Sequence, residues 1–135
     1  MPLDIDFCPI ELPGHGQRIG EMAVTHLDTL VPTLQAVLEP LLTIPFAFFG
    51  HSTGACIAFE AARVLRAIDG RSATHLFVSG RPAPGRAIGH RSSVRMFPGG
   101  HFYLSEVGRA LVDEIVRDLC PAETPQAPRL AGAAI

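Results

Sequence analysis

Between Pro45 and Glu60 the chain reads Pro-Phe-Ala-Phe-Phe-Gly-His-Ser-Thr-Gly-Ala-Cys-Ile-Ala-Phe-Glu, and no other stretch limits the fold so strongly. A short aromatic run, suited to a buried strand, ends in Gly50-His51-Ser52-Thr53-Gly54 and passes at once into a helix-compatible run. Strand, sharp turn and helix in immediate succession form the setting that a serine nucleophile elbow requires. Gly50 and Gly54 omit Cβ atoms where the two backbones crowd, which lets Ser52 take a backbone conformation that L-residues avoid. The helix N-terminus beneath Ser52 offers free N–H groups and a positive dipole end to an oxyanion. The backbone N–H of Thr53, one residue after the serine, is the expected oxyanion donor.

The rest of the chain supplies strands and helices around this turn. Ile5 to Leu12 reads as a strand running into the turn Pro13-Gly14-His15-Gly16. From Thr25 to Leu42 the apolar residues Leu27, Leu30, Val31, Leu34, Leu38 and Leu41 follow helical spacing. Thr25 and Asp28 have the spacing of a capping box, and Pro32 is expected to kink the helix or delay its start. Phe46 to Phe49 is the elbow strand, and Ala55 to Ala67 the helix that Asp69-Gly70 stops. Thr74 to Ser79 reads as a buried strand, Arg81 to Arg91 as a loop, Ser93 to Phe97 as a short strand, and Ser105 to Leu119 as a last helix. Pro121 to Ile135, rich in Pro and Ala, is expected to be a loose tail behind a single domain of residues 1–120. Strands alternating with helices imply an α/β fold with a mainly parallel sheet.

Composition removes several function classes. The chain has 135 residues, enough for one domain with a real core, with 47% hydrophobic and 18% charged residues. A net charge of −2 makes no electrostatic case for nucleic acid or a membrane surface, and no apolar run reaches the roughly 18 residues of a membrane span. Cys8, Cys56 and Cys120 are odd in number and far apart, so neither a disulfide framework nor a zinc site is expected. With no signal-peptide pattern at Met1, a reducing cytoplasm is the expected compartment. No bound cofactor is expected.

A serine hydroxyl becomes a nucleophile at neutral pH only beside a base, most often histidine. Six histidines compete. His101 follows a strand and Gly99-Gly100, where a loop can hold an imidazole over the carboxyl edge of a sheet, and it comes after Ser52 in the chain. His51 sits within the turn and is expected to diverge from Ser52. His15, His26, His75 and His90 read as turn, helix-face or strand residues.

Four segments together resemble a known family: Leu12-Pro13-Gly14-His15-Gly16, Gly50-His51-Ser52-Thr53-Gly54, Leu76-Phe77-Val78-Ser79-Gly80-Arg81, and Phe97-Pro98-Gly99-Gly100-His101-Phe102-Tyr103-Leu104. They resemble type II thioesterases, the stand-alone editing α/β-hydrolases of polyketide and non-ribosomal peptide synthesis, over roughly residues 7 to 119. The resemblance implies Ser52 as nucleophile and His101 as general base. It also implies hydrolysis of an acyl thioester from the phosphopantetheine arm of a carrier protein, which would be the partner.

Where the sequence departs from that pattern, the expectations narrow. The family carries a strand and a Gly-rich loop that provide a second oxyanion donor, and this sequence has no matching segment. It also carries a lid and an acid-bearing strand where this sequence has only Arg81 to Ser92, without Asp or Glu. The triad acid is therefore unassigned, with Asp69, Glu106, Asp113 and Glu114 as weak stand-ins. The fold expected is a reduced, three-layer α/β-hydrolase with about four strands, re-paired across the absent ones. Apolar surface left where the lid would lie favours self-association. Loss of an oxyanion donor costs about 10²–10³ in rate, and loss of a triad acid about 10⁴, so impaired activity is expected. The alternatives are a binding module without efficient chemistry, its Arg81, Arg86 and Arg91 meeting an acidic carrier protein, or a general carboxylesterase.

Overall fold

The computed structural model describes residues 5–80, 93–97, 103–120 and 130–134. In chain order these form β1 (Ile5–Pro9), α1 (Leu27–Leu38), β2 (Phe46–His51), α2 (Thr53–Asp69), β3 (His75–Ser79), β4 (Ser93–Phe97), α3 (Tyr103–Leu119) and β5 (Leu130–Ala134), with single 3-10 turns at Gly16–Arg18 and Glu39–Leu41. The sheet has the order β1-β5-β2-β3-β4, and every neighbouring pair is parallel.

Alternation along the strands sorts the core into two layers. Phe46 and Phe48 of β2, with Leu76 and Val78 of β3, point to one face, where they meet Leu30, Leu34 and Leu38 of α1 and Ile57, Ala58, Ala61 and Leu65 of α2. The residues between them, Ala47, Phe49 and Phe77, point to the other face and meet Leu111, Ile115 and Leu119 of α3. Those three recur every four residues, so they form one seam along α3. Phe48, Leu76 and Phe77 are essentially inaccessible to solvent. Burying such a side chain contributes about 1.5–3 kcal/mol each, which is why β2 and β3 form the rigid centre that carries the turn at Ser52. The expected three-layer α/β architecture is present.

Two local expectations are corrected, and of the two alternatives for Pro32 the delayed start is ruled out. Helix α1 begins at Leu27 with His26 as its N-cap and no side-chain cap, so Thr25 and Asp28 do not make a capping box. Pro32 sits inside that helix rather than delaying it. Its missing N–H forfeits only the bond to the carbonyl four residues back, and its ring faces solvent. The helix also stops earlier than Leu42, passing into the 3-10 turn Glu39–Leu41 at Pro40. The exit from α2 is as expected. Gly70 closes it in the left-handed conformation (φ 67°), donating its N–H to the Arg66 carbonyl at 3.0 Å.

The larger correction concerns the C-terminal segment and the strand count. Residues 130–134 are not a loose tail. They form a fifth strand in the interior of the sheet, pairing Ile5 to Pro9 on one side and Phe46 to Phe49 on the other. The Ile10 N–H extends this ladder to the Ala134 carbonyl at 2.8 Å. The physical reason is an edge effect: without an intervening strand, β1 and β2 would each expose unpaired N–H and C=O groups. On the other side, β3 and β4 pair directly from His75↔Ser93 to Ser79↔Phe97, as the re-pairing expectation required.

Candidate active site

Because all five strands run parallel, their carboxyl ends lie along one edge, and the chain turns at Ser52 on that edge. Ser52 has φ 54° and ψ −114°, the single non-glycine residue with positive φ among the described residues. Such a conformation costs roughly 1–3 kcal/mol and persists only where surrounding structure enforces it. Three features enforce it here. The Ser52 N–H donates to the Ser79 carbonyl at 2.9 Å, carrying the β2–β3 ladder one residue past the strand end. The Ser52 carbonyl accepts from the Ala55 N–H at 3.1 Å, opening α2. Gly50 packs directly on Gly54: a Cβ on Gly50 would collide with the Gly54 carbonyl and lie 2.7 Å from the Ala55 nitrogen.

The serine side chain is left uncommitted to the helix. Ser52 is the N-cap residue of α2, yet its hydroxyl makes no capping hydrogen bond. Thr53 is the first residue of this 17-residue helix, in the turn whose N–H groups have no intrahelical acceptor. Ser52 is half-buried and Thr53 exposed, so the turn is open to a reactant. A nucleophile beside helix-terminal N–H groups can form an acyl bond while the developing oxyanion is stabilised.

The ring of His51 points into a defined partner. Its Nδ1 lies 2.8 Å from the hydroxyl of Ser79, which is fully buried. Gly80, at φ 71°, leaves room for that ring; a Cβ there would lie 2.7 Å from His51 Cε1. In the sequence Ser79 and Gly80 stand out only as part of the Leu76-Phe77-Val78-Ser79-Gly80-Arg81 segment of the family resemblance, with no role given to either. The available signal was a Ser-Gly pair closing a buried strand beside the elbow strand.

The remaining candidates fall into two groups. His101 lies outside the described residues, as do Arg81, Arg86, Arg91 and His90. The last described residue before it, Phe97, ends β4 at the same carboxyl edge, two strands from β2, or about 10 Å across the sheet. Asp69 ends α2, about 25 Å along the helix from Thr53, and lies 3.7 Å from Arg71, so it is a surface pair and not the acid. Asp113 is exposed on α3, Glu114 is half-exposed, and Glu106 lies on the same helix. His15 is exposed with Nδ1 3.1 Å from the Pro13 carbonyl, and His26 is exposed at the start of α1. His75 lies flat on Phe77 on the α3 side of the sheet, with ring centroids 5.6 Å apart. Among the described residues, no group of three His, Cys, Asp or Glu stands together as a metal site, and no helix is long and apolar enough to cross a membrane.

The loop after β1 reaches the same edge and is closely tied. Gly14 and Gly16 take positive φ, the Glu11 carboxylate accepts the Gln17 N–H at 2.8 Å, and Arg18 reaches the Glu11 carbonyl at 3.0 Å. A two-point ion pair with Glu21 holds the Arg18 guanidinium further in its charged form and keeps the Glu21 carboxyl below its usual range. Beside it opens a hollow of about 540 Å³ lined by Pro9, Ile10, Glu11, Leu12, His15 and Gln17.

Residues 1–89 match the thioesterase domain family, a span that includes the elbow and the Ser79-Gly80 pair. The chain belongs to that family. The resemblance to type II thioesterases is borne out by its relatives. This thioesterase-family chain is 47% identical over 83 residues to the gramicidin S biosynthesis protein GrsT of Aneurinibacillus migulanus, covering 62% of this chain and 32% of that protein. It is 33% identical over 124 residues to the thioesterase PikA5 of Streptomyces venezuelae, covering 87% of this chain and 44% of the other. It therefore spans less than half of the length of these relatives. Among solved structures, BorB, a type II thioesterase from the borrelidin biosynthetic cluster, superposes with a TM-score of 0.67 at 18% identity, covering 87% of this chain and 93% of the other; at that identity the likeness speaks for the fold.

Proposed function

We propose that this chain hydrolyses acyl thioesters in polyketide or non-ribosomal peptide synthesis, with Ser52 as nucleophile. The observation that carries the reading is the strained backbone of Ser52 at φ 54°, set at the N-terminus of α2 with its hydroxyl free of the helix cap. In the proposed reaction Ser52 Oγ attacks the thioester carbonyl carbon, and His101 takes the hydroxyl proton. The Thr53 N–H stabilises the oxyanion, the C–S bond breaks, and the proton passes to the leaving sulfur. Water, deprotonated by the same base, then releases the free acid from Ser52. The exit of β4 at the edge that carries Ser52 supports His101 in this role.

The substrate of this reading is an acyl group on the phosphopantetheine arm of a carrier protein in the cytoplasm, and the protein needs no cofactor of its own. Slow turnover belongs to this reading, since an enzyme working without a triad acid loses about 10⁴ in rate. Exposed apolar residues such as Ile19 and Met22 favour self-association at high concentration.

Labelling with an active-site-directed fluorophosphonate tests the reading. Covalent modification of Ser52 that disappears in His101→Ala is the expected result. An inert Ser52 in folded protein removes the hydrolase and leaves the carrier-binding module. Hydrolysis of a simple carboxylic ester faster than the matching acyl-pantetheine thioester would favour the carboxylesterase instead.

A further inference from the structure

We propose that Ser79 is a positioning residue for the nucleophile, acting on Ser52 through two separate bonds; the inference rests on the reading of Ser52 as nucleophile. Ser79 holds the turn with both its backbone and its side chain. Its carbonyl accepts the Ser52 N–H at 2.9 Å, and its hydroxyl lies 2.8 Å from Nδ1 of His51, the residue paired with it across the β2–β3 ladder. The Ser79 side chain is fully buried, so its hydroxyl is held away from bulk water.

The consequence follows from where the strain sits. Ser52 occupies a conformation that relaxes unless the residues on either side are fixed. On the helix side, the packing of Gly50 on Gly54 fixes it. On the strand side, the residue immediately before the nucleophile is His51, which Ser79 anchors by its ring while Gly80 makes room for that ring. Anchoring the ring restricts rotation of the His51 backbone, and that backbone aims Ser52 Oγ. Ser79 touches no reacting atom in this scheme. It reduces the number of orientations the nucleophile samples, an effect that appears in the chemical step rather than in substrate binding.

The test compares Ser79→Ala, His51→Phe and the double variant in the full chain. Two readouts are taken: the rate constant of Ser52 labelling by a fluorophosphonate, resolved into its maximal rate and its half-saturating concentration, and hydrogen exchange at the Ser52 amide. Loss of one hydrogen bond predicts a fall in the maximal labelling rate of about three- to tenfold, with the half-saturating concentration unchanged. The double variant is expected to lose no more than the worse single one, because both remove the same bond. Exchange at Ser52 is expected to quicken by a similar factor while the amides of Ile57 to Leu65 keep their protection. Multiplying effects, or wild-type labelling and exchange in Ser79→Ala, would overturn the proposal. If Ser79→Ala does not fold, His51→Phe carries the same two readouts alone. If wild-type Ser52 is inert to the probe, the hydrolase reading falls, and the exchange experiment still decides whether Ser79 clamps the turn.

Discussion

Gly50 and Gly54 lie so close that a methyl group on Gly50 would overlap the carbonyl of Gly54, at the point where β2 gives way to α2. The obstructing atoms are backbone, which cannot swing aside as a side chain can. Elbow, strand and helix are therefore one packing unit, and disturbing it moves the nucleophile and the core together.

Gly50→Ala is accordingly expected to lower stability by about 1–3 kcal/mol, the usual range for forcing extra volume into a packed interior. Urea unfolding followed by circular dichroism measures it. A variant as stable as the parent would show that the strand and helix separate easily.

Ser52→Gly makes the opposite trade. Glycine relieves backbone strain worth roughly 1–3 kcal/mol and returns about 1 kcal/mol through the looser unfolded chain. The variant is expected to be no less stable than the parent, by up to about 2 kcal/mol more, while losing all labelling at this position. A drop in its unfolding midpoint would mean that φ 54° carries no strain.

His75 should make stability fall in acid. Burial pushes its pKa below the ordinary 6.5, opposed by Asp118 on α3, and its Nδ1 is buried without a hydrogen-bond partner. The unfolded chain therefore binds a proton at higher pH than the folded one does. The contribution is fully present above about pH 6.5 and is lost as pH falls from there towards the folded-state pKa. His75→Gln is expected to show a flatter stability profile than wild type between pH 7 and 5. Parallel profiles for the two proteins would contradict this.

The interior placement of β5 is open to a direct probe. Ala133→Pro removes an N–H and inserts a ring in a strand paired on both sides, which should cost about 3 kcal/mol or more. Gly132→Ala is the control, since among the described residues its new methyl would meet only the Asp6 carbonyl at 3.7 Å, an ordinary contact. Equal thermal midpoints for the two variants would place residues 130–134 outside the sheet.

Much of this architecture is legible in residue order alone. The unbroken apolar runs Phe46 to Phe49 and Leu76 to Val78 specify strands buried on both faces, and the four-residue spacing of Leu111, Ile115 and Leu119 specifies one helix seam. Gly-x-Ser-x-Gly between strand and helix dictates the turn, because only that arrangement of glycines admits it. These are local matters, decided by sterics within a few residues of each other.

What lay beyond local reading depended on partners distant in the chain. Leu-Ala-Gly-Ala-Ala carries no strong strand signal, and it becomes a strand because β1 and β2 present unpaired backbone groups on either side of it. The same holds for Ser79, an unremarkable hydroxyl until the β2–β3 register sets it opposite His51. Backbone hydrogen bonds between strands depend little on side-chain identity, so the sequence by itself determined which segments are strands and where the turn falls. Only the folded sheet decided their order, and with it which buried hydroxyl holds the serine in place.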